Sequence, residues 1–230
     1  MPAGFFGKLP AKRDFVAYQT TRPFLDMWEP WLQSSVATAR QSLGERWPEA
    51  YNRMPIWRFW LGAQFCGEAV VGALMASVDG VGRAFPLAVF CGEGASLLAP
   101  PEMEANALWC EAAEQALLGA LAPDKAFEDF ARDVDALPAP ALQNPVEEMA
   151  GVELRGEGVT LVRGVGADPA LAFRVARRFG HRSAFAGQSF WWTLGGAGFE
   201  PLALAVVGLP APGLFADMVT GAFGRLDADG

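Results

Sequence analysis

One histidine, three cysteines and two tyrosines in 230 residues leave few routes to several common chemistries. A histidine-based triad would have to use His181, in RRFGHRS, where it is expected to face solvent just past a helix end. GQSFW around Ser189 lacks the closing glycine of a nucleophile elbow. Cys66, Cys91 and Cys110 are an odd count, widely spaced and without C-x-x-C, so neither a disulfide framework nor a zinc ribbon is indicated. They are expected to be free, buried thiols in a reducing cytosol.

Positive charge is also scarce. The net charge is −8, unevenly spread: residues 1–60 carry 8 basic and 5 acidic side chains, residues 93–157 carry 3 and 14, and residues 158–182 carry 5 and 1. The acidic middle argues against general nucleic-acid binding, which rests on a basic footprint. It reads as a solvated helical face, or as a surface open to a basic protein partner.

No apolar run is long enough to span a membrane. Residues 183–216 carry a single charge, Glu200, but glycines and prolines such as Gly195, Gly196, Pro201, Gly208 and Pro210 divide them. Two buried strands explain that stretch better than a membrane insertion. Lys8, Lys12 and Arg13 leave the first residues without a secretory h-region, so a cytoplasmic location is expected.

Apolar side chains are abundant instead. They make up 52% of the chain, with 17 Phe and 8 Trp, enough for a substantial core. One domain over residues 1–226 is expected, with residues 227–230 as a flexible tail. Leu25, Trp28, Leu32, Val36, Ala39, Leu43 and Trp47 step at helical spacing, and Pro30 predicts that the helix starts or bends near it. PIWRFWL (55–61), AVVGALMASV (69–78) and FPLAVF (85–90) read as strands of an antiparallel meander. Trp109, Ala113, Leu117 and Leu121 share the face of one helix, and Phe127, Phe130, Val134 and Leu137 that of the next.

Beyond the proline-rich stretch 138–145, VTLVRG (159–164) reads as an edge strand and Asp168-Pro169 as a helix start. QSFWWTL (188–194) and PLALAVVG (201–208) read as two central strands, followed by a helix near 212–223. The order β-α-βββ-αα-β-α-ββ-α gives an α+β fold, an α/β sandwich: a central, largely antiparallel sheet with helices packed on its faces.

GFFGKLPAKRDF, residues 4–15, combines a glycine–lysine pair with further charges and an aromatic at each end. It is not a phosphate loop, because Gly4 and Gly7 are too close and Leu9 follows Lys8 where a metal-binding hydroxyl is needed. Gly164-Val-Gly166 lacks the third glycine of a dinucleotide site.

Arg58, Asp79 and Arg83 stand out as charges in apolar surroundings. Either Arg58 or Arg83 pairs with Asp79 or Asp14 and fixes the sheet register, or the group forms a polar patch for a partner. Trp191 and Trp192 are strand neighbours and must face opposite sides. Both are core if helices cover both faces; otherwise one is a surface anchor.

Four stretches in order, GFFGKLPAKRDFV, MPIWRFWL, MASVDGVGRAFPLAV and QSFWWTLGG, resemble the type VI secretion system-associated TagF (ImpM) family, over Gly4 to about Pro212. The family's motif positions fall here on Lys8, Pro10, Asp14, Trp57, Arg58, Asp79, Arg83, Trp191 and Trp192. Arg13 stands where the family usually has glycine, Met54 in place of Ser and Ala76 in place of Pro. If that glycine serves a positive φ, Arg13 implies a moved turn or strain. The resemblance implies a cytoplasmic accessory protein, not an enzyme, without cofactor. It would be a post-translational regulator, often a repressor, with the system's forkhead-associated (FHA) scaffold protein as partner. A structural baseplate component and a hydrolase using Asp14, Asp79 and Arg83 are the alternatives.

Overall fold

A computed structural model describes residues 1–95, 107–122, 124–140, 151–155, 159–163, 184–196 and 198–223. The helix expected after Asp168, His181 and the C-terminal tail lie outside them. Two strands open the chain, β1 (Gly4–Lys8) and β2 (Phe15–Tyr18), followed by α1 (Arg22–Leu43), a short 3-10 turn and α2 (Trp47–Asn52). Then come β3 (Trp57–Leu61), β4 (Val70–Met75), β5 (Leu87–Cys91), α3 (Ala107–Gly119) and α4 (Phe127–Asp135). A ribbon of β6 (Gly151–Arg155) and β7 (Val159–Arg163) precedes β8 (Gln188–Thr193), β9 (Leu202–Val207) and α5 (Pro212–Thr220).

Seven strands form one antiparallel sheet in the order β2-β1-β5-β4-β3-β8-β9. The expected meander is β3-β4-β5. Alternation along the strands sends Phe59, Leu74 and Phe90 to one face and Trp60, Ala73 and Val89 to the other. α1, α2 and α5 cover the first face, burying Phe24, Trp28, Leu32, Tyr51 and Phe215. α3 and α4 cover the second with Trp109, Ala113, Leu117, Phe130 and Val134. With helices on both faces, the inner strands β3, β4 and β5 are buried along their whole length. The α+β architecture is as the sequence predicts.

Four details differ from the sequence reading. The opening stretch is a hairpin whose first strand lies inside the sheet, between β2 and β5. Gly4–Lys8 is buried throughout, so it shows none of the alternation that marks a half-exposed strand. α1 starts at Arg22 and runs through Pro30. Pro23 sits in its first turn, where no N–H is missed, and Pro30 is exposed, where a freed carbonyl can meet water. Among the described residues, Val159–Arg163 of VTLVRG pairs with β6 in a separate two-stranded ribbon, outside the main sheet. The edge of that sheet is taken by β9, expected to be central; its residues alternate between half-buried and exposed.

Candidate functional site

The first and third motif stretches converge on one carboxylate. β1 ends at Lys8, and the turn after β4 carries Asp79, 71 residues further along, with the Lys8 Nζ 2.8 Å from Asp79 Oδ2. The Arg83 guanidinium reaches the same oxygen at 2.6 Å through Nε. Asp79 Oδ1 accepts the backbone N–H of Val81 at 3.1 Å and of Arg83 at 2.9 Å, an arrangement that folds the turn onto its own aspartate. Asp79 and Lys8 are buried, while the Arg83 side chain is 60% exposed.

Burial by itself raises the Asp79 carboxyl. The hydrogen bonds from Lys8, Arg83 and Val81 outweigh that and hold it well below the usual carboxylate range. Asp79 is therefore an ionised, saturated acceptor near neutral pH, unsuited to giving or taking a proton.

Hydrogen bonds to backbone carbonyls stitch the same two loops together. Ser77 Oγ donates to the Lys8 carbonyl at 2.8 Å, Gly80 N to the Lys12 carbonyl at 2.7 Å, and Arg83 Nη2 to the Arg13 carbonyl. The buried Tyr51 hydroxyl donates to the Ser77 carbonyl and accepts the Ser77 N–H, both at 3.0 Å. α2 is thereby fixed to the turn, and burial pushes the Tyr51 hydroxyl up, keeping it protonated. Gly7, at φ 143°, lies against Pro86 and Leu87, and a Cβ there would run into the Pro86 carbonyl. Gly7 of the glycine–lysine pair thus serves a close backbone approach within the sheet.

Arg13 brings no strain: the one non-glycine residue with positive φ among the described residues is Gln19. Asp14 is exposed, and its side chain makes no hydrogen bond or ion pair among the described residues. Arg83, not Arg58, is the arginine that pairs with Asp79. Arg58 is buried on the opposite side of the sheet's core, where Nε and Nη2 meet Glu114 Oε1 and Oε2 of α3 at 2.6 and 3.0 Å. Trp57, its neighbour, faces α5 and donates Nε1–H to the Met218 carbonyl at 3.0 Å.

Trp192 stands across from Arg58 in the β3–β8 register and is half-buried. Trp191 is wholly buried on the other face, among Trp28, Trp31 and Phe59 at ring distances of 6.1, 5.2 and 5.1 Å. The seven residues singled out in the sequence thus divide into three groups. Lys8, Asp79 and Arg83 come together, with Asp14 on the adjoining loop; Arg58 and Trp192 share the α3 side; Trp191 is core.

Glu114, Tyr51 and Ser77 were not singled out by the sequence. Glu114 is one of 14 acidic residues between 93 and 157, and only the fold distinguishes it. Phe15 was visible as the aromatic closing the opening stretch. It is 44% exposed, stacks on Phe6 at 5.9 Å and meets Phe85 edge-on at 4.7 Å, with Lys8 Nζ 5.4 Å from its ring.

The model of the type VI secretion system-associated TagF N-terminal domain matches residues 4–137. This chain belongs to the TagF family. It is also similar to the crystal structure of PA0076 from Pseudomonas aeruginosa PAO1, at 32% identity and a TM-score of 0.75, over 96% of each chain. No curated protein matches it. The TagF match contains the whole Lys8–Asp79–Arg83 network and the Arg58–Glu114 pair, whereas Trp191 and Trp192 lie beyond it. Among the described residues of this TagF chain, no helix is long and apolar enough to cross a membrane.

Proposed function

We propose that this chain is a non-enzymatic, cytoplasmic regulator of a type VI secretion system that works by binding a component of the machine. The TagF resemblance implies the FHA-domain scaffold protein as that component and repression as the sign. The supporting observation is where the motif charges go. Lys8 and Asp79 are spent on each other and on the turn, so their role is to hold two loops in a fixed shape. What a partner can meet is the surface those loops present: Arg83, Asp14, Phe15 and the exposed Val81. A rigid, preformed surface suits binding, because little ordering cost remains on association.

The hydrolase reading is not favoured. It needs Asp14, Asp79 and Arg83 within mutual reach, yet Asp14 bonds to neither of the others and Asp79 is saturated. Residues 1–226 would act as one domain, a reading supported by the pairing of β3 with β8 inside a single sheet. The test is co-purification of the tagged chain with the cytoplasmic components encoded in its own secretion locus. Selective capture of the scaffold protein is expected. Capture of baseplate or sheath subunits at fixed stoichiometry, without the scaffold, would replace regulation by a structural role.

A further inference from the structure

The Lys8–Asp79–Arg83 network is unequal in charge. One carboxylate serves two cations, which leaves one positive charge over. Beside it opens a cleft lined by Lys8, Arg40, Tyr51, Asn52 and Arg83 among others, with no Asp or Glu among its described lining residues. Arg40 is exposed in the last turn of α1, and its guanidinium makes no ion pair or hydrogen bond among the described residues. The cleft therefore carries about two net positive charges on a chain whose net charge is −8.

Arg40 also lines an adjoining groove, together with Phe15, Val36, Ala37 and Phe85. Its floor is apolar: Phe85 and Val36 are buried there, and Phe15 is 44% exposed with Lys8 Nζ over its ring. Groove and cleft are adjacent: Arg40 lines both, and Lys8 of the cleft lies over the Phe15 ring of the groove. Phenylalanine and arginine are both side chains that protein interfaces concentrate, and here Phe15 and Arg40 line the same groove.

We infer that this surface docks a short segment of a partner protein that carries a carboxylate beside an aromatic or large aliphatic side chain. The apolar side chain enters the groove at Phe15, Val36 and Phe85. The carboxylate meets Arg40, with Arg83 and Lys8 completing the positive field, and a guanidinium can hold it bidentately. The rest of the acidic chain repels such a segment at long range. The attraction therefore acts only at contact distances, within a Debye length of about 8 Å at physiological salt, and is weakened by added salt. This inference rests on the proposed binding function and adds the surface and the partner's chemistry.

A random-peptide phage display library panned on the folded chain, and in parallel on Arg40→Glu, tests it. Peptides combining Asp or Glu with a neighbouring Phe, Trp or Leu are expected to enrich on the wild type and to be lost on Arg40→Glu. The best such peptide, made synthetically, should bind about tenfold more weakly to Arg40→Glu and to Phe15→Ala, and more weakly in high salt. Arg40 is exposed and has no partner among the described residues, so Arg40→Glu is expected to keep the fold; circular dichroism checks both Arg40→Glu and Phe15→Ala. No enrichment, enrichment of basic or neutral motifs, or equal enrichment on Arg40→Glu overturns the inference. If it fails while the chain still captures a component of the secretion machine, only the surface is wrong; if no component is captured, the binding function itself is wrong.

Discussion

The Arg58 guanidinium of β3 and the Glu114 carboxylate of α3 face each other through two hydrogen bonds, at 2.6 and 3.0 Å, with Arg58 only 4% exposed. This pair joins the sheet to the helix above it. Removing one partner leaves a buried charge alone, so Arg58→Met should cost about 3 kcal/mol, the low end for a buried pair because Glu114 keeps some solvent. Replacing both by apolar residues, Arg58→Met with Glu114→Leu, should cost much less than the sum of the single changes. Urea unfolding of the two single variants and the double variant measures this coupling; additive losses would show that the pair does not interact energetically.

The Asp79 carboxylate makes stability depend on acid. Its folded pKa is depressed, so its contribution is complete above the unfolded value of about 3.9 and is lost as pH falls through the folded value. At neutral pH, Asp79→Asn should cost about 3–5 kcal/mol, since Lys8 stays buried without its counter-charge. The gap between wild type and Asp79→Asn should narrow as pH falls from about 5 toward 2. Chemical unfolding at a series of pH values reads the gap directly, and a gap that stays constant with pH contradicts the assignment.

Gly7 should tolerate no side chain. Its φ of 143° and the Pro86 carbonyl at the Cβ position act together, and such backbone strain alone costs about 1–3 kcal/mol. Gly7→Ala should lower the melting temperature markedly or abolish soluble expression. Gly119, on α3 with nothing near its Cβ position, is the control. Gly119→Ala should be neutral or stabilising by up to about 1 kcal/mol.

The three thiols should react in a fixed order. Burial pushes Cys110 up to about 12 and Cys91 up to about 11, so both stay protonated at pH 8. Cys66 is also raised by burial but is half-exposed. Timed alkylation at pH 8 followed by mass spectrometry should show Cys66 modified first, with Cys91 and Cys110 reacting only on unfolding. Early modification of Cys110 would contradict the packing of α3 on the sheet.

Much of the architecture was legible because burial writes a period into the sequence. The helical steps from Trp28 to Leu43 and the β3-β4-β5 strands needed nothing beyond that, although a 3-10 turn at Gly44–Arg46 puts Trp47 on a separate helix. What was not legible depends on contacts between distant segments. β1 carries Gly4, Gly7 and Lys8 and is buried throughout, so it looked polar and irregular until β5 and β2 flanked it. Lys8 became interpretable only once the turn at Asp79 lay against it. The sequence marked Arg58 as needing a partner but could not choose Glu114 from the acidic helices. For Trp191 and Trp192, alternation gave the opposite faces. How deeply each is buried was decided by α1, which covers the first fully.

The most direct test of a binding regulator is capture from cells. The tagged wild-type chain and Arg40→Glu would be purified side by side from cells expressing the whole secretion locus, at several salt concentrations. The FHA-domain scaffold protein is expected with the wild type, in salt-sensitive fashion, and reduced or absent with Arg40→Glu. A folded wild-type chain that captures no component of the machine would contradict the account.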